Sequence, residues 1–365
     1  MKKPLLTIAS IMFAIILTAQ VNYEKRLEFD LKDGYASETI LQFENTGFLM
    51  RSRKVEAVGS KFQWKYELYD TDLNSVKSKS ISIDKKYRLD ETYDTESRTF
   101  SLFKEKKGGY AVVGIEAATL KETIVEGVMP KKSWIKSMAV LGDYTFFSAS
   151  IKGSPCLFSI NWKTGAQKII PVLFDGLGKS KIKIQNFQVL EESNEVFVYV
   201  KTIEGKREND MYVIRLNEDG KKQDMFKLAQ SEENNIVSVT ASKVEGGRYI
   251  FTGTYSDRST SASKGLFICR AKDSKVDFIK YHKFLDLKNF LTYLPEKKQE
   301  KIEKKKERKE EKGKELKYQY LIAGHDVVHA GDDYIYFGEA YYPTYRRESY
   351  MTCLLYTSDA ADDAN

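Results

Sequence analysis

The residue types in this chain that could do chemistry gather towards its C-terminal end. His325 and His329 enclose the motif HDVVH. On a helix that spacing puts two imidazoles on one face, as in zinc hydrolases, whose motif also carries a Glu directly after the first His. Asp326 stands in that place here, and the pair runs into a Gly-Asp-Asp turn that demands extended chain. Along a strand, residues four apart stand about 13 Å from each other, too far to share one ion. No metal and no cofactor is expected.

The second concentration is GEAYYPTYRR, Gly338 to Arg347. Tyr341, Tyr342 and Tyr345 flank Pro343, with Glu339, Arg346 and Arg347 beside them. A phenol ring offers an apolar face and a hydrogen-bonding edge, and a neighbouring cation adds charge recognition, which suits a glycan or a peptide. The same residues also read as a strand and a packed loop whose tyrosines fill an interface between sheets. Glu339, Tyr341, Tyr342, Tyr345 and Arg346 are the candidate binding residues. No catalytic residue is assigned: the chain has no nucleophile elbow, phosphate loop or cluster of Cys ligands, and no pair of carboxylates is marked by its context.

These residues must be positioned by β structure. EGGRYIFTGTYSD, Glu245 to Asp257, is a Gly-rich turn followed by alternating aromatic and β-branched residues, and GLFICRAKDSKV, Gly265 to Val276, is its partner. Related copies recur. ENTGFLMRSRKV precedes FQWKYELYDTDLNSVK; KKGGYAVVGIEA precedes a Thr-rich strand; LGDYTFFSAS precedes SPCLFSINWKTGAQK. ESNEVFVYVK precedes NDMYVIRLNEDGKKQ, and AGDDYIYFGEAYY opens a sixth unit. Phe158, Val213 and Phe267 hold matching places about 54 residues apart. A two-faced apolar sheet cannot bury both faces alone, and stacking such sheets solves that problem. The expected fold is all-β, a β-propeller of about six to eight blades; a pair of β-sandwiches is the alternative.

One segment departs from this texture. Leu285 to Leu294 has apolar residues at roughly helical spacing, and after Pro295 the stretch Glu296 to Lys317 holds eleven Lys or Arg against seven Glu. Glu300 with Lys304 and Glu310 with Lys314 stand at i,i+4 on a solvated helix, and Gly313 is its stop. A helix polar all round has no face to bury, so this insertion (285–317) is expected to project from the blades. It reads either as an arm for weak contact with anionic surfaces or as a bland solvated insertion whose interleaved acids dilute the field. Because much of the positive charge is this local, the net charge of +7 does not argue for a specific nucleic-acid partner.

The N-terminus reads as a processing signal over residues 1–19: Lys2 and Lys3, an apolar run from Leu5 to Leu17, and cleavage after Ala19. That run is too short for a comfortable membrane span, so no transmembrane segment is expected once it is removed. Tyr23 to Asp33 then reads as an opening strand. Cys156 and Cys269 fall in corresponding strands of different units, too far apart to bridge, and are expected as buried thiols. Residues 353–365 read as a non-native tail: CLLYTSDAADD, Cys353 to Asp363, resembles the translated read-through of a sequencing-library adapter. The native domain is then 20–352, cut off after Thr352.

The signal, the repeat texture, the Lys-rich insertion and the EAYYPTY run together resemble the uncharacterised secreted propeller-like proteins of Gram-negative envelopes. That resemblance implies a periplasmic or extracellular protein but transfers no functional residue. The expectation is a non-catalytic module binding an envelope protein, peptide or glycan. The alternative is a glycan-directed hydrolase, or the propeller half of an enzyme whose catalytic domain lay beyond Thr352.

Overall fold

The computed structural model describes residues 34–43, 47–203, 209–229, 234–257, 262–316, 318–330 and 333–341. The signal segment 1–19, the opening strand Tyr23 to Asp33, the residues Tyr342, Tyr345 and Arg346, and the tail 353–365 lie outside them. The chain divides into two compact units. The first runs to Glu232 and includes Glu245–Gly247 and Lys272–Val276; the second holds Glu233–Val244, Arg248–Ala271 and everything from Asp277.

The fold is all-β and of propeller type, built from four-stranded antiparallel meanders that follow one another along the chain. Blade 1 is β1 (Tyr35–Phe43), β2 (Gly47–Lys54), β3 (Lys61–Tyr69) and β4 (Ser75–Asp84). Blade 2 is β5 (Arg88–Asp94), β6 (Arg98–Lys104), β7 (Gly109–Glu116) and β8 (Glu122–Val128). Blade 3 is β9 (Ser133–Leu141), β10 (Tyr144–Ile151), β11 (Ser154–Asn161) and β12 (Gln167–Pro171). Blade 4 is β13 (Ile182–Leu190), β14 (Glu195–Ile203), β15 (Asn209–Asn217) and β16 (Lys222–Ala229). A fifth sheet is β17 (Asn235–Val244), β18 (Arg248–Ser256), β19 (Gly265–Lys272) and β20 (Lys275–Lys283), and the hairpin β21 (Leu321–Ala330) with β22 (Asp333–Tyr341) follows.

The two-residue period of a strand explains how the blades of the first unit stack. In blade 2, Phe103, Ala111, Val113 and Ile115 face Leu49, Trp64 and Tyr66 of blade 1. The intervening residues Phe100, Leu102, Tyr110 and Val112 face Met138, Val140, Phe147 and Phe158 of blade 3. Blade 3 turns Ala139, Phe146 and Leu157 the other way, onto Val196, Val198 and Val200 of blade 4. Edge-on aromatic contacts tie the joints: Trp64 meets Phe103 at 5.2 Å and Tyr110 meets Phe158 at 5.7 Å. Burying each such ring is worth about 2–3 kcal/mol, which makes these joints the core of the unit.

Turn chemistry punctuates the repeats. Between the third and fourth strands, Asp70, Asn161 and Asn217 each accept a backbone N–H further along the turn, from Asn74, Thr164 and Lys221. In the fifth sheet Asp273 and Ser274 take φ of +48° and +63°, the two positive values of a tight hairpin turn.

A β-bulge recurs in the first strand of every sheet, where one extra residue stands against the second strand. It falls between Ser37 and Thr39, Leu89 and Glu91, Lys136 and Met138, Ile184 and Asn186, Ile236 and Ser238, and Gly324 and Val327. The shared defect identifies β21 and β22 as the first two strands of a sixth unit, in line with the six units read from the sequence.

Three expectations need correction. KKGGYAVVGIEA was expected to head the second unit, but it supplies β7, the third strand; the equivalent strand is β6, entered by a turn in which Thr95 Oγ1 accepts the Arg98 N–H. The Gly pair at 108–109 marks the next hairpin instead. Leu285 to Leu294 is a chain of i→i+3 turns, not a helix, because Asn289 sits at φ +62° and breaks the run. The helix α1 (Glu296–Glu310) ends seven residues before Lys317 and does not stand free. Gln299, Ile302, Lys306 and Lys309 form a half-buried stripe along it. Gly313 is its stop at φ +62°, with Lys314 N–H donating to Lys309 O and Gly313 N–H to Glu310 O, a Schellman closure. Of the two i,i+4 pairs, Glu300 and Lys304 meet at 3.8 Å.

Candidate functional site

Of the residues singled out in the sequence, Glu339 and Tyr341 stand on β22 opposite Ala323 and Leu321 of β21, and both are exposed. Ala323 pairs with Glu339, so His325, two residues on along the same face of β21, is its diagonal neighbour, and His325 Nε2 lies 3.6 Å from Glu339 Oε1. The hairpin thus pairs Glu339 with a histidine, a partner the sequence reading had considered only for metal. His325 and His329 both lie in β21, as the strand reading expected. Among the described residues, no group of three or more His, Cys, Asp or Glu is arranged to hold a metal ion, and no helix is long and apolar enough to cross a membrane. Tyr342, Tyr345 and Arg346 lie outside the described residues.

The second unit also holds a narrow cleft of about 40 Å³ between α1 and the end of the fifth sheet. Local sequence explains its walls. Phe284 stacks on Phe290 with ring centres 4.9 Å apart, and Phe290 meets Tyr320 at 5.5 Å, so the turns after β20 are pinned by aromatics. The Tyr293 and Tyr320 hydroxyls share a hydrogen bond, and burial together with that bond holds the Tyr320 phenol far above its usual range. Against this base α1 is clamped by Gln299 Nε2, which donates to Leu294 O at 2.6 Å, and by Lys306 Nζ, which donates to Leu285 O at 3.1 Å and Asp286 Oδ1 at 3.0 Å.

The cleft presents matched charges. Lys283 Nζ lies 3.2 Å from Glu315 Oε1, and Gln319 Nε2 donates to Asp257 Oδ1 at 3.3 Å. Lys264 Nζ stands 5.4 Å from the ring centre of Tyr255, whose phenol is pushed up to about 12, first by burial and then by the charges of Glu315 and Asp286. Leu285, Leu316 and Tyr318 supply the apolar lining. Ammonium, carboxylate, amide and phenol groups line this narrow cleft and its rim, which is the chemistry of a surface that hydrogen-bonds polar groups.

A further titratable group lies in the first unit, in a place sequence reasoning passed over. The bulge in β5 sets Asp90 and Glu91 side by side, and β9 runs next to β5 with its own bulge at Ser137, a non-Gly residue at φ +52°. Lys104 Nζ bridges the two strands, 2.7 Å from Asp90 Oδ2 and donating to Ile135 O at 3.0 Å. Burial raises the Glu91 carboxyl above the ordinary range, helped by the charge of Asp90; the Met138 N–H, Lys104 and Lys136 pull the other way. The only sequence signal was the polar strand RLDETYD, which lacks the aromatic run that marks the second strands.

No family model and no curated protein matches the chain. Among solved structures, it is similar to a prolyl endopeptidase over 67% of this chain and 35% of that one, at 11% identity and a TM-score of 0.40. It is similar to the tricorn protease over 67% and 23%, at 9% identity and a TM-score of 0.38. A Synechocystis apocarotenoid oxygenase aligns over 65% and 61%, at 4% identity and a TM-score of 0.37. The chain therefore spans only 35% and 23% of the length of the two proteases. Likeness at this level carries no information about activity.

Proposed function

We propose that this chain is an exported, non-catalytic propeller that binds a glycan or a peptide in the cell envelope. The observation that carries the reading is the cleft beside α1, where hydrogen-bonding groups line a concave wall and each of Asp257, Asp286 and Glu315 is already engaged by Gln319, Lys306 or Lys283. Carboxylates held this way are fixed in place as hydrogen-bond acceptors. The signal-like N-terminus supports export, and the exposed Tyr341 beside Glu339 and His325 extends the polar surface available to a ligand in the same unit.

The test is a glycan and peptide array probed with the secreted chain, followed by titration calorimetry on any hit. Glu315→Gln with Lys283→Ala should abolish the hit; a hit indifferent to both changes would place binding elsewhere. N-terminal sequencing of the fractionated protein checks export, with Gln20 as the expected first residue.

A second reading, a glycan-directed hydrolase, is supported by one observation: burial raises the Glu91 carboxyl above the ordinary range, beside an Asp90 that is ion-paired with Lys104. Turnover of an array glycan that stops in Glu91→Gln would establish it in place of the first.

A further inference from the structure

In the one-dimensional sequence the acids and bases of the insertion are mixed, but docking of α1 sorts them. The face carrying Gln299, Ile302 and Lys306 is held against the turns 285–292. At about 3.6 residues per turn, the opposite face carries Lys297, Lys301, Lys304 and Arg308, spaced i, i+4, i+7, i+11. All four are exposed. They form one row about 16 Å long with a cation every turn, about 5–6 Å apart. A second row, Glu296, Glu300, Glu303 and Glu307, has the same spacing and runs parallel about a quarter-turn away. One contact crosses between the rows, Lys304 Nζ to Glu300 Oε2 at 3.8 Å, and both side chains are well exposed, so it costs the basic row little.

We infer that this outward row is a docking surface for a linear anionic polysaccharide, a chain carrying an acidic group at each turn of the helix. Charge complementarity identifies the partner class, and the width of the row selects among its members. A planar anionic membrane would meet the acidic row together with the basic one, whereas a single extended chain lies along the cations alone. The anchoring of α1 matters because the four side chains are presented on a rigid element with one fixed phase, so less order has to be imposed on binding. The surface is separate from the cleft on the other side of the helix, and it does not depend on what the cleft binds.

The experiment uses the full secreted chain, a heparin oligosaccharide as the sulfated probe, dextran as the neutral control and phosphatidylglycerol vesicles as the planar alternative. Binding to the oligosaccharide should weaken steeply with salt, and the quadruple change K297Q/K301Q/K304Q/R308Q should lower affinity by at least about tenfold. The matched change E296Q/E300Q/E303Q/E307Q should keep or strengthen it, with circular dichroism confirming that both variants retain the helix. Glu315→Gln in the cleft should leave it unchanged, which separates this site from that one. Absence of binding, or binding indifferent to the basic row, overturns the inference. Equal capture by the vesicles through the same four residues overturns the choice of partner.

Discussion

Lys306 and Asp286 meet at 3.0 Å across twenty residues of sequence, and that contact, with the Lys306 bond to Leu285 O, sets the rotational phase of α1. A half-buried lysine held by a carboxylate and a carbonyl makes an otherwise solvated helix part of the second unit. Lys306→Ala should therefore loosen α1 while sparing the sheets. Amide exchange across Glu296–Glu310 should speed up with little change in β18 or β19, and global stability should fall by only about 1 kcal/mol. Uniform loss of protection would show that the helix is integral to the fold.

Glu91 makes stability depend on pH in a definite direction. Its carboxyl is raised in the folded state by burial, so the unfolded chain gives up this proton at a lower pH than the folded one. Its contribution is fully present below the unfolded value and is lost as pH rises through the folded value. Glu91→Gln should melt higher than the parent at pH 7 and show no advantage at pH 4. An advantage of the same size at both would mean that its charge is not the cause.

Two glycines of blade 1 form a matched pair. Gly47 sits at φ +102°, and a Cβ there would land on the carbonyl oxygen of Tyr69; Gly59 sits at φ +64° with nothing within 4 Å. Gly47→Ala should cost more than about 3 kcal/mol, combining backbone strain with a clash that backbone must absorb. Gly59→Ala should cost only about 1 kcal/mol. Denaturant titration of the two variants reads the difference directly.

The buried thiols of Cys156 and Cys269 are raised by burial, to about 11 and about 12, with Asp277 adding to the second. In a Cys353→Ser background, neither should react with a disulfide reagent at pH 8 until the protein is unfolded, when both should. Rapid labelling of the native protein would contradict their burial.

Much of the architecture was legible because it rests on local rules. Glycine, Asn and Asp at turns, and aromatic or β-branched alternation after them, located the second and third strands, and Gly313 marked the helix stop. The first strands escaped notice. Segments such as RLDETYD and IKIQNFQVL carry polar residues at their bulges, so Asp90, Glu91 and Gln185 broke the alternation that a sequence reading relies on. Of the candidate site, Glu339 and Tyr341 were found by residue type, but the meeting of Glu339 with His325 depends on the register of the hairpin, which no spacing announces.

The sequence by itself determined the all-β texture, the repeated unit and the place of the charged insertion, because these follow from side-chain size, branching and turn preference between near neighbours. Tertiary structure alone decided which face of the insertion meets solvent. Charges mixed along a chain become separate rows only once a helix is wound and one of its faces is held, and here the holding groups, Leu285 O, Asp286 and Leu294 O, belong to turns outside the helix.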